Sequence, residues 1–174
     1  MSRAARHLAA LRGLVSTPAD AALIARMLPW WVALPLLKRS TPLPRLVRFA
    51  HLDPRRAARE LEREERVAAL TEWLFKVRPR PARDNCLERS LVAYRFLGRL
   101  GAEPELVVGV GGEPDQTIGH VWVTVDGRPL HDEPESLDAY EAVVVFDSDG
   151  RRSELREGAA APADPKRESQ RVDG

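Results

Sequence analysis

Near residue 101 the hydrophobic pattern of this chain changes period. Before it, apolar residues recur three and four apart, as on helices. After it, they come in short β-branched runs and alternations, as in strands. Helices first and a run of strands afterwards predict an α+β domain, with helices packed on a sheet. A chain of 174 residues is long enough to bury such a core without disulfides or metals.

The helical part has three textures. Residues 1–50 are apolar and Arg-rich, with Asp20 as the one acid, and prolines at 18, 29, 35, 42 and 44 predict short helices. Within it Ala19–Leu37 is the most apolar stretch, but Asp20, Arg26, Pro29 and Pro35 argue against a membrane span. Leu28, Trp30, Trp31 and Leu34 suit helices folded onto the rest of the domain. They would equally suit a docking surface for a partner, or a contact with a membrane surface. No secretion signal is visible, which reads as cytoplasmic. Residues 53–77 form the clearest helix, capped by Asp53 with Pro54 in its first turn. Ala57, Leu61, Val67, Ala68, Leu70 and Leu74 supply its apolar stripe, and the mixed-sign EREER run reads as a solvated face. RPRPARD at 78–84 is a loop. A second helix spans about 86–100, with Asn85 as N-cap and Glu88 three residues on as in a capping box. Gly101 suits the residue past its end.

In the stranded part, 105–110 reads as a buried strand and 111–119 as a polar loop. Residues 120–125 alternate, and Asp126-Gly127 is a hairpin turn from which 128–132 returns. Residues 140–146 form a further strand, DSDG at 147–150 turns, and 157–174 reads as a disordered tail. The organisation expected is a helical region over 1–52, a main domain over 53–156, and the tail.

Charge and cysteine content limit the chemistry. With 27 Lys+Arg against 26 Asp+Glu the net charge is +1, too balanced for a protein relying on phosphate contacts, so no nucleic acid is expected. The one cysteine, Cys86, rules out an internal disulfide, a Cys-rich zinc site and a CxxC pair. Its predicted place is the first turn of a helix, where free N–H groups and the helix dipole stabilise a thiolate. Arg83 and Arg89 could add to that. The same N–H groups could hold the oxyanion of a tetrahedral intermediate.

A base is then required. His7 and His51 read as surface or packing residues. His131 lies on the return strand. His120 opens a strand behind Gly119, which leaves room beside the imidazole. The hairpin register decides its carboxylate. If 123 pairs with 129, then 120 pairs with 132, and Asp132 sits beside His120. With a two-residue turn, 125 pairs with 128 and Glu133 becomes the candidate. Asp126 is a third option, although turn chemistry alone explains an Asp before Gly.

CLERSLVAYRFLGRLGAEPELVVGV at 86–110, followed by GHVWVTVDGRPLHDE at 119–133, resembles the leader peptidase of lasso peptide biosynthesis, the transglutaminase-like B protein. That family shows a Cys-Leu-x-Arg-Ser/Ala-Leu helix start, a strand ending in Gly-Val, and a His-Ala-Trp-Val strand leading to an Asp. The resemblance covers about 66–133, with a weaker match in the helical region. Val121 stands where Ala is usual, His131 where Asn is common, and the segment after Asp132 is longer. The resemblance implies a papain/transglutaminase-like cysteine peptidase with Cys86, His120 and Asp132 as its triad, and neither metal nor cofactor. It resembles the split form, lacking an extra winged-helix region of about 80 residues. The partners implied are a precursor peptide, a separate leader-recognition-element protein and an ATP-dependent lasso cyclase. The same triad could also run acyl transfer to an amine, or survive in a non-catalytic scaffold.

Overall fold

The computed structural model describes residues 15, 17–51, 59–77, 85–113 and 116–153. The expected tail at 157–174, His7, Asp53, Pro54, Ala57 and Arg83 lie outside them.

Helix α1 (Pro18–Ser40) begins on a full capping box. The Thr17 hydroxyl accepts from the Asp20 N–H, and the Asp20 carboxylate accepts from the Thr17 N–H at 2.9 Å. Pro29 and Pro35 lie inside this one helix and do not divide it, contrary to the sequence expectation. Each interior proline costs about 3 kcal/mol. Burial offsets that: Met27 and Leu34 are fully enclosed in the core, with Trp30, Trp31 and Leu37 packed around them. By length and composition α1 is also long and apolar enough to cross a membrane. Helix α2 (Leu43–Ala50) turns Leu46, Val47 and Ala50 inward.

Helix α3 (Leu61–Lys76) starts at Leu61, not near 53, because residues 59 and 60 are not helical. Leu61 is exposed, while Val67, Leu70, Leu74 and Phe75 face the core. The EREER run is only partly solvated. Glu64 is buried and takes the Arg59 guanidinium at 3.0 Å, and Arg66 crosses to Asp20 at 2.7 Å. Helix α4 (Cys86–Gly98) carries Leu91, Val92, Tyr94, Phe96 and Leu97 into the core. Its expected capping box does not form. Asn85 makes no side-chain cap bond, and Glu88 turns inward to meet Lys38 of α1 at 3.0 Å. The helix ends at Gly98 with Arg99 as its C-cap, two residues short of the expected end, and Gly101 closes the following turn at φ 79°, where a residue without Cβ is at no cost.

The strands are β1 (Pro104–Glu113), β2 (Gln116–Val125), β3 (Arg128–Pro129), β4 (Tyr140–Phe146) and β5 (Arg152–Ser153). They form one antiparallel sheet in the order β3-β2-β1-β4-β5. β1 and β2 pair over their whole length, from Pro104↔Val125 to Glu113↔Gln116, so most of the expected loop at 111–119 is ladder. One face of the sheet packs on α4 through Leu106, Val121, Val123, Val125 and Phe146. The other carries a smaller cluster of Val107, Trp122, Ala142 and Val145, covered by Leu137 of the short helix α5 (Pro134–Leu137). Val121–Val125 is therefore buried on both faces, and its alternation does not become alternating burial. The main core runs without a break from Met27 to Phe146.

Candidate active site

Cys86 is the first residue of α4, where the helix N–H groups have no intrahelical acceptor. The N–H groups of Leu87 and Val121 hydrogen-bond to its sulfur. Burial raises the thiol pKa. The His120 imidazole and these two amides outweigh burial, so the thiol lies below its ordinary value.

His120 stands in β2. Its Nε2 lies 3.2 Å from Asp132 Oδ1, and this leaves Nδ1 as the ring nitrogen for Cys86. Asp132 first and Cys86 next hold the imidazole pKa up, at about 9, against desolvation. Burial raises the Asp132 carboxyl, but His120 and Arg89 take it below its ordinary value. Trp122 stacks beside the imidazole with ring centroids 5.9 Å apart, and Tyr140 lies tilted at 5.0 Å. Gly109, paired with His120 across the ladder, makes room for Trp122. A Cβ there would lie 2.7 Å from the indole. At Gly119 a Cβ would meet nothing within 4 Å beyond its chain neighbours.

The hairpin takes the two-residue turn, with Asp126 and Gly127 at positive φ and Val125 opposite Arg128. In that register continued pairing would put Glu133 across from His120. Asp132 is there instead. The ladder ends at Pro129, and after a last Leu130 N–H to Val123 C=O bond the chain swings back and brings Asp132 to His120. Glu133 is exposed at the start of α5, and Asp126 pairs with Arg59. His131 is half-buried against the Ala68 carbonyl at 3.1 Å, and His51 bonds Ser148 O.

Two residues of α4 organise this arrangement, and the sequence reading missed both roles. Arg89 does not serve the sulfur. Its guanidinium holds both oxygens of Asp132 at 2.9 Å. Ser90, fully buried, donates to the Val121 carbonyl at 2.9 Å. The peptide groups flanking the Val121 side chain are thus gripped by Cys86 and Ser90 together. Positions 86, 89 and 90 are i, i+3 and i+4, one face of one helix. That spacing was the available signal.

A helix-start thiol, an imidazole and a carboxylate in one hydrogen-bonded chain can generate a thiolate for attack on an acyl carbon. A domain model of the transglutaminase-like superfamily matches residues 30–145. The chain therefore belongs to the transglutaminase-like superfamily, whose chemistry is that of cysteine peptidases and acyltransferases. No curated protein and no solved structure matches it.

Proposed function

We propose that this chain is a cysteine peptidase that removes the leader from a lasso peptide precursor. The observation that carries the chemistry is the hydrogen-bonded chain Cys86–His120–Asp132 at the start of α4. The leader assignment rests on the motifs at 86–110 and 119–133.

In this reading His120 Nδ1 holds the Cys86 proton, and Asp132 fixes the ring tautomer from Nε2. The thiolate attacks the last carbonyl of the leader, and the N–H groups opening α4 receive the developing oxyanion. His120 passes its proton to the amine of the core peptide, which leaves. A water, deprotonated by His120, then hydrolyses the leader thioester. A leader-recognition-element protein presents the precursor, and an ATP-dependent cyclase takes the freed amine, all in the cytoplasm.

The test uses a lasso precursor peptide and a leader-recognition protein, to be sought among the genes neighbouring the one for this chain. The expected products, by mass, are a leader fragment ending in a carboxylate and a free core, and Cys86→Ala abolishes both. A cross-linked or amine-adduct mass would replace hydrolysis by acyl transfer. Unchanged processing by Cys86→Ala would leave a scaffold.

A further inference from the structure

We propose that the outer edge of β2, from Gln116 to Gly119, binds the substrate backbone as an added strand leading to Cys86. This rests on the peptidase reading above and names how the peptide chain is held. β2 is ten residues long, but its outer neighbour β3 pairs only with Thr124 and Val125. The peptide groups facing that side are identified in sequence. Val123 accepts from Leu130, and Val121 is taken by Cys86 and Ser90. The β1–β2 register has no bulge, so alternate residues face the same way and the next outward groups belong to Gly119 and Thr117. Among the described residues neither has an outward partner, and all of 116–119 is exposed.

An open strand edge is a template for another chain, and folds usually blunt it with charge, proline or a bulge. This one reads Gln-Thr-Ile-Gly and carries none of the three. The sheet's other long strand with an open edge, β4, carries Glu141 and is partly closed by β5. β3 ends on proline. The open segment also ends on His120. A peptide paired to Thr117 and Gly119 continues directly past the imidazole to the thiol, so main-chain bonds would supply affinity without reading sequence. Ile118, 48% exposed, shares the His120 face of the strand and offers an apolar contact to a substrate side chain two residues from the reacting bond.

The test reads strand pairing itself. In the precursor assay, each backbone amide within six residues of the cleaved bond is N-methylated in turn. Pairing predicts losses of kcat/KM of about tenfold or more at every second position on one side of the bond, with the intervening positions near normal. In the protein, Thr117→Pro removes an outward N–H and leaves the β1 ladder intact, as edge prolines do. It should raise KM at least severalfold, whereas Thr117→Ala should not, and both should alkylate at Cys86 with iodoacetamide at the normal rate. Cleavage of the unmodified precursor with losses lacking the alternation, together with an unaffected Thr117→Pro, overturns the edge proposal and leaves the peptidase reading standing. An uncleaved precursor overturns both.

Discussion

Sulfur, imidazole and carboxylate in this chain differ from their free counterparts in directions that depend on one another. The thiol lies below its ordinary value and the imidazole is held up at about 9, so each group favours the charged form of the other. Cys86 should therefore alkylate with iodoacetamide at mildly acidic pH faster than a free thiol of pKa about 8.5. A rate tracking an ordinary thiol would count against the pair. Turnover should show a falling alkaline limb near pH 9, where the proton needed by the leaving amine is lost. The sign for stability is the same. A raised imidazole stabilises the fold fully below its ordinary value of about 6.5, and that contribution fades as pH rises through 9. Urea midpoints of wild type and His120→Gln should converge at alkaline pH. Arg89 acts one bond further out. Arg89→Leu frees Asp132 to reorient and should lower kcat by about 10- to 100-fold with little change in KM, and Arg89→Lys should recover part of it. Steady-state kinetics separates the two parameters.

Among the elements, α4 and the β1–β2 hairpin carry the arrangement, and their legibility in the sequence was uneven. The period change at Gly101, the helix opening at Cys86 and the strand holding His120 were all readable. The nearness of Asp132 to His120 was not derivable from pairing, because the register runs the other way. The chain reaches His120 only after Pro129 ends the ladder. The unbroken α1 was hidden for a related reason: proline content is local, whereas the burial of Met27 and Leu34 that overrides it is tertiary. The capping box at Asn85 failed because Glu88 has a stronger partner in Lys38, on an element far away in sequence. The hairpin gives a stability prediction. Gly109→Ala would press a methyl group onto the Trp122 ring and within 3.1 Å of the Glu141 carbonyl. The expected cost is about 1–3 kcal/mol, read as a lower urea midpoint.

Across the whole molecule, the helices before residue 52 and the sheet after 104 share one core, with α4 between them. Met27→Ala should thus destabilise the entire fold by about 2–5 kcal/mol. Fluorescence and circular dichroism should report a single unfolding transition at the same midpoint. A separate early transition of the N-terminal helices would contradict a shared core. The grip of α4 on its neighbours has a bearing on heat. Cys86 and Ser90 hold Val121, next in the chain to His120, while Arg89 holds Asp132. Just over one turn of α4 thus sets the spacing of all three groups, and among the described residues no separate segment is needed to hold them. Such a centre has no way to fall out of alignment by itself while α4 stays seated, so warming should leave the protein fully competent until the temperature at which it melts.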